Sequence, residues 1–367
     1  TALELEFGFP QVARWLASRA GKARIHYGVS VSHIGARALA QPGLAQQVEA
    51  ELEAVTGDID FTSLLGKSGA AIWESHRRAL QEGDLPALWE ALERGLREGA
   101  LGIGMPLQYY PGADRSEIFR VFQFASEKEA PVFVHVRSIG MEAIQEVTAN
   151  AAATGAALHI VHVNSSSLWQ LPAVLDLIGG ARQRGANVTV EAYPYTAGST
   201  SIESSIFDSG WQQLLGINYG DLQWQKTRER LTAESFARYR EQGGTVIIHS
   251  MKEEMIELAF RTPFVMVASD GMPYNPGAHP RSAGTFSRIL GRYVRERGVL
   301  SLAEALRRMT IMPVQRLEII APQMKKKGRL QVGADADIVI FDAERVIDTA
   351  TFESDLSFSE GIRHVLV

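Results

Sequence analysis

The chain of 367 residues contains no cysteine. That excludes a disulfide framework and any thiolate metal ligand in this stretch, and it predicts a reducing, cytoplasmic setting. No apolar run approaches the roughly 18 residues that a membrane span needs, so no membrane insertion is expected. Charge of one sign is also scarce: 42 acidic residues face 37 basic ones. Neither a nucleic-acid-binding surface nor a polybasic membrane anchor follows from that balance. The chain begins at Thr1 without a methionine, inside a strand-like run, and stops at His364-Val365-Leu366-Val367. Both ends read as cuts, and oligomeric state leaves no trace. Its length accommodates one large α/β barrel with a small appendage, or two ordinary domains.

What is present is an alternation of strand-like and helical segments. Strand-like runs lie at 1–6, 25–32, 101–107, 132–137, 158–164, 188–195, 245–250 and 265–270. Helical patterns fall between most of them. Pro10 to Ala20 places Val12, Trp15, Leu16 and Arg19 at three-to-four spacing before Gly21. Met141 to Thr154 sets Ile144, Val147 and Ala151 on one face and stops at Gly155. Ser301 and Glu304 have the spacing of a capping box. Such repeated units predict a (β/α)8 TIM-like barrel, with a doubly wound open sheet as the alternative. Residues 33–84 and 196–244 interrupt the alternation as insertions that build a lid, a pocket or a peripheral layer. After Pro322 the Gly333-Ala334-Asp335-Ala336-Asp337-Ile338-Val339 segment reads as turn and strand with no helix following. Residues 1–321 are therefore expected to form the barrel, and 322–367 part of a small β-sandwich.

Three of the apolar runs are closed by His135, His162 and Asp270. In a closed parallel barrel, chemistry sits at the C-terminal ends of the strands. Two imidazoles and a carboxylate converging there suggest a metal-assisted hydrolase. An isolated strand-end histidine is more often a hydrogen-bonded core residue, and Asp270 alone would pass for a turn cap before Gly271. The three together carry the functional reading. The other histidines carry less: His26 sits at a strand start, and His249 ends the run 245–248 without a ligand signature.

Four stretches carry a family resemblance. They are Phe133-Val134-His135-Val136-Arg137-Ser138 with Ile160-Val161-His162, then Tyr193-Pro194-Tyr195-Thr196-Ala197-Gly198-Ser199-Thr200, then Ser269-Asp270-Gly271 with His279-Pro280-Arg281 and Gly284-Thr285-Phe286, and the C-terminal Gly-Ala-Asp-Ala-Asp-Ile-Val. With these the chain resembles the amidohydrolase superfamily and its D-aminoacylase (N-acyl-D-amino-acid deacylase) branch. The resemblance implies a zinc-dependent hydrolase of C–N amide bonds, acting on a small-molecule substrate with one or two zinc ions. It implies His135 and His162 as ligands, with Asp270 taking the proton from water and passing it to the leaving amine. Arg281 is implied to grip the substrate carboxylate, with Tyr193 and Ser199 as polar contacts in the same pocket.

The chain departs from that pattern in three places. Where the family has a cysteine ligand, the first strand offers Glu4 and Glu6, which on a regular strand share one face. Glu6 is the expected third ligand and Glu4 the second choice. Where the family has a carboxylate-binding lysine after the second histidine, Asn164 stands; it is taken as a substrate contact, with capping of the next helix by Asn164 to Ser167 as the alternative. The His-x-His pair of the family is absent and is expected upstream of Thr1. The readings that stay open are an N-acyl-D-amino acid deacylase, a sibling hydrolase of cyclic amides or dipeptides, and a non-catalytic barrel serving binding or assembly.

Overall fold

Short apolar strands linked by helices pair in parallel, because each helix carries the chain back to the same end of the sheet. The computed structural model describes residues 1–55, 70–272, 276–354 and 357–367. Its strands are β1 (Ala2–Phe9), β2 (Tyr27–Ser32), β3 (Ile103–Pro106), β4 (Val132–His135), β5 (Leu158–Ile160), β6 (Val188–Ala192), β7 (Gly198–Ser201), β8 (Leu222–Trp224), β9 (Thr245–Ile248), β10 (Val265–Val267), β11 (Ile338–Phe341) and β12 (Ile362–Leu366). Seven of them form one parallel sheet in the order β1-β2-β3-β4-β5-β6-β10. The sheet is strongly curled. In a flat sheet β1 and β4 would lie three strand spacings apart, roughly 14 Å, yet Glu6 of β1 touches His135 of β4 at 2.9 Å. This is the wall of the expected α/β barrel.

The helices outside the wall begin and end where local chemistry directs. Asp114 caps Arg115–Glu127 by accepting from the Glu117 amide at 2.7 Å. Met141–Thr154 ends on Gly155 at φ 77°, a conformation that a Cβ would strain. The Ser301 hydroxyl accepts from the Glu304 amide at the start of Leu302–Met309. Their apolar faces bury Ile118, Val121, Ile144 and Val147 against Val132, Val134, Leu158 and Ile160. Beneath the polar strand ends, Phe133, Val161 and Leu317 form a separate apolar plug, with Leu3, Leu5, Leu101 and Met324 packed on it.

One expected barrel strand is not in the wall. The run at 245–250 forms β9, which pairs antiparallel with β7 and β8 in a separate sheet of three strands. A four-residue apolar strand buried on both faces has the same composition whichever direction its neighbours run. The insertion expected at 33–84 is helical where described, as His33–Leu39, Ala45–Ala54 and Ala70–Arg77; its residues 56–69 lie outside the described residues. The C-terminal region contributes the antiparallel pair β11–β12. Among the described residues no helix is long and apolar enough to cross a membrane.

Candidate metal centre

His135 is the last residue of β4, and its buried ring packs edge-on against Tyr109 at 5.1 Å. His162 and Asp270 follow the ends of β5 and β10, both in the left-handed region, at φ 32° and 48°. Few non-glycine residues adopt that conformation, and those that do gather at functional sites. In both cases the turn swings the side chain back over the end of the wall.

Glu6 arrives by a different device. Leu3 and Leu5 pack on the Phe133 plug, so strict alternation would point Glu6 away from it. The β1–β2 register shifts between Glu4 and Phe9, with Gly8 at φ 65°, and this irregularity turns Glu6 inward. The expectation that Glu4 and Glu6 share one face is therefore corrected. Glu4 accepts a hydrogen bond from the nearby Phe7 amide at 3.1 Å and is not in the ligand cluster. Strand alternation fails at a bulge, and that is why the pair separates.

Glu6, His135 and His162 form the group of donors. His135 Nδ1 lies 2.9 Å from Glu6 Oε1 and 3.0 Å from His162 Nε2, and His162 Nε2 lies 3.4 Å from Glu6 Oε2. All three ligand atoms fall within 4.8 Å of one another. The outer ring nitrogens have their own partners. Gln108 Oε1 stands 2.9 Å from His135 Nε2, which assigns the proton there and leaves the Nδ1 lone pair facing the cluster. The Ser165 and Ser166 hydroxyls, at 3.0 and 3.1 Å, hold His162 Nδ1 and aim Nε2 at the cluster. Two ring nitrogens this close need a shared cation between them, a proton on His162 in the metal-free protein or a metal ion in its place. Two imidazole nitrogens and a carboxylate oxygen are a zinc donor set, so the residues fit the ion that the sequence implies.

The electrostatics agree. Burial opposes the charge of Glu6, but the charge of His162 and the close approach of both imidazoles outweigh it and hold the carboxyl well below its usual range. Burial depresses both imidazoles. His135 stays low, with the charge of His162 adding to the effect, while Glu6 and Asp270 together carry His162 up to about 9. The cluster thus stabilises positive charge between its donors.

Asp270 sits beside this cluster and is bonded to Arg281, Oδ2 to Nη1 at 2.6 Å. Burial raises its carboxyl, Arg281 and His162 lower it, and Glu6 and Glu191 raise it again, so that it rests at about 6. Arg281 is buried at the start of the helix Arg281–Arg288 and lies 4.8 Å from the centre of the Tyr193 ring. Its amide donates to His279 Nδ1 at 3.0 Å, and His279 Nε2 in turn donates to the Ala197 carbonyl. His279 thereby fixes the loop that presents Arg281.

The remaining expected residues are placed less directly. Ser199 faces Arg281 with its backbone carbonyl, at 3.4 Å from Nη2. Asn164 is fully buried, and its Nδ2 donates to the Tyr193 carbonyl at 3.1 Å. The nitrogen of the amide braces the Tyr193 backbone, and its Oδ1 has no hydrogen-bond partner among the described residues. His249 bonds Gln223 at 2.9 Å on the antiparallel sheet, and His26 bonds Asp337 at 2.8 Å. Neither joins the cluster. The sequence reading missed Gln108, Ser165 and Ser166 as partners of the ligands. Their one signal was the placement of polar residues just past the ends of β3 and β5.

The amidohydrolase family matches residues 230–367. An N-acyl-D-glutamate deacylase of Alcaligenes xylosoxydans xylosoxydans is 32% identical over 289 residues, which is 73% of this chain and 57% of that protein. A D-aminoacylase of the same organism is 27% identical over 339 residues, 86% of this chain and 67% of the relative. The chain thus spans between half and about two thirds of the length of these two relatives. The crystal structure of N-acyl-D-glutamate deacylase from Bordetella bronchiseptica, complexed with zinc and a phosphonate inhibitor, superposes with a TM-score of 0.77 at 26% identity. That match covers 97% of this chain and 70% of the other. The likeness to the D-aminoacylase branch is thus present in both sequence and fold.

Proposed function

We infer that this chain belongs to the D-aminoacylase branch of the amidohydrolase superfamily and that its protein hydrolyses the amide C–N bond of an N-acyl-D-amino acid or a related small N-acyl compound. One observation carries the reading: Glu6, His135 Nδ1 and His162 Nε2 converge on one point beside the Asp270–Arg281 pair. Glu6, His135 and His162 would hold zinc, as one ion or as part of a two-ion site. When bound, zinc lowers the pKa of a water molecule to about 7 and polarises an amide carbonyl. Residues 1–321 would be the barrel that carries the site, and 322–367 part of the β-sandwich beside it.

The side chains divide the remaining work. Asp270, near pKa 6, accepts a proton at neutral pH and returns it to the departing amine nitrogen, the behaviour of a general base whose pKa lies close to the working pH. Arg281 supplies a planar pair of N–H donors matched to a carboxylate. A substrate carboxylate taking that guanidinium would withdraw from Asp270 the cation that lowers its pKa. Substrate binding would then leave a stronger base beside the metal. Tyr193, beneath the guanidinium, orients it.

A second reading rests on the same pair. A cyclic amide or another substrate without a free carboxylate would leave Asp270 and Arg281 joined as they stand at 2.6 Å. The full-length protein should be analysed for metal and assayed against N-acyl-D-glutamate, N-acyl-D-aspartate, apolar N-acyl-D-amino acids, hydantoins and dipeptides. Stoichiometric zinc with turnover of an N-acyl-D-amino acid is expected. Turnover of hydantoins alone selects the second reading. Absence of zinc with no amidase activity after zinc addition leaves a binding or assembly module.

A further inference from the structure

The opposite end of the strands presents a second recess, of about 250 Å³, lined among others by Arg182, Asn187, Phe264, Met266, Met312 and Arg316. Asn187 and Phe264 immediately precede β6 and β10. In a parallel sheet that places the recess at the end away from His135, the last residue of β4. Its lining mixes an apolar floor of Phe264, Met266 and Met312 with basic walls.

Two of the basic side chains, Arg182 and Arg316, have no counter-charge among the described residues. Arg316 is buried, only 8% exposed. Its Nη1 donates to Asn187 Oδ1 at 2.7 Å and its Nη2 to the Asn187 carbonyl at 3.4 Å, while its buried Nε has no hydrogen-bond partner among the described residues. Arg182 lies over the Phe264 ring at 5.2 Å and donates to the Val188 carbonyl. Neither guanidinium forms an ion pair with an Asp or Glu among the described residues. Burial first, and then the charge of Arg182, pull Arg316 down to about 10. Arg307, also on the lining, differs in having Glu304 at 2.8 Å.

A nearly buried guanidinium that meets only neutral acceptors, beside a second cation, is costly unless an anion balances its charge. Guanidinium groups recognise oxyanions through pairs of parallel N–H bonds, with Arg better suited to this than Lys. Small-molecule sites combine an apolar lining with a few such fixed polar groups. We propose that this recess binds a small organic anion, an oxyanion headgroup on a compact apolar body, held by Arg316 and Arg182 at the end of the barrel opposite the metal centre. The headgroup chemistry is shared by carboxylates and phosphate monoesters. The site is independent of the reaction proposed for the other face.

Isothermal titration of the zinc-loaded, full-length protein tests this, with benzoate, phenyl phosphate and inorganic phosphate at fixed ionic strength and chloride as control. Saturable binding of benzoate or phenyl phosphate is expected, tighter than that of inorganic phosphate because only the aryl probes reach the apolar floor. Whichever aryl probe binds more tightly identifies the headgroup. Arg316→Gln and, separately, Arg182→Gln should each weaken that binding by about tenfold or more. Arg182 is only partly buried, so its variant keeps the test open where Arg316→Gln fails to fold. Absence of saturable binding overturns the proposal. So does binding that survives both substitutions, which belongs to the metal centre, or an Asp or Glu of the protein's own chain seated between the two guanidiniums.

Discussion

The two ends of the parallel wall treat buried charge in opposite ways. At the C-terminal end each charge has an opposite partner: Glu6 lies 2.9 and 3.4 Å from His135 and His162, and Asp270 lies 2.6 Å from Arg281. At the N-terminal end Arg182 and Arg316 share one sign and meet only neutral acceptors. The first arrangement is a balanced network whose centre suits a cation, and the second is an unbalanced pair whose centre suits an anion. Both belong to the same parallel sheet, so the difference comes from side chains and turns rather than from the architecture. Charge balance, more than burial, tells what each end awaits.

The largest expected effect breaks the balanced end at its proton carrier. Asp270→Asn keeps the shape of the side chain and removes its ability to accept a proton. It should lower kcat by about 10²–10⁴-fold, the range for loss of a general base, while zinc content measured by elemental analysis stays at the wild-type level. A fall in kcat of less than about tenfold would remove Asp270 from the chemistry and leave it as the partner of Arg281.

How much of this contrast the sequence discloses depends on whether neighbours in sequence or neighbours in space decide each part. His135, His162 and Asp270 are legible because each closes a short apolar run, and parallel barrels place chemistry at those ends. Glu6 is only half legible: its residue type is right, but its orientation depends on the bulge before Phe9 and on Gly8 at φ 65°. The antiparallel β9 is illegible, since Thr245-Val246-Ile247-Ile248 carries no mark of which strands will flank it. Gln108 and Ser165 are polar residues in short helical segments just past β3 and β5, and only the three-dimensional approach of a histidine gives them a role. Arg316 is the extreme case. A helical arginine reads as solvent-facing, and only the packing of its helix Ile311–Leu317 over the wall makes it a buried cation.

A smaller effect sharpens the comparison at Gln108. Its Oε1 fixes the tautomer of His135 at 2.9 Å, so Gln108→Leu should let the imidazole turn or carry its proton on Nδ1. Loss of such a supporting partner weakens metal binding by about 10–100-fold. Competition with a chelator of known zinc affinity measures this directly. Gln108→Glu, which keeps an acceptor at that position, should recover most of the affinity. If both variants hold zinc as the wild type does, the tautomer is set elsewhere and the balanced network is less tightly coupled than its distances imply.

The smallest effect lies at the unbalanced end, where two other arginines share a counter-charge. Arg308 is buried and bonds Glu304 at 2.7 Å, and Arg307 bonds the same carboxylate at 2.8 Å. The hydrogen bond from Arg307 is the main cause that lowers Glu304 to about 2; partial burial opposes it, and Arg308 reinforces it. A carboxyl depressed in the folded state adds stability above its unfolded pKa of about 4.5, and that stability drains away as pH falls toward 2. With 29% of the side chain exposed, screening reduces the contribution to the order of 1–2 kcal/mol. Glu304→Gln should therefore destabilise the protein at neutral pH by about that amount and by almost nothing near pH 2. Urea unfolding across this range measures the difference. An equal loss at both ends would mean that the carboxylate acts through shape or helix capping instead. In that case Arg308, with carbonyls of Phe260, Thr262 and Val265 around it, tolerates burial without an anion, and Arg316, with Asn187, and Arg182, with the Val188 carbonyl, would remain the cations of the recess that need one.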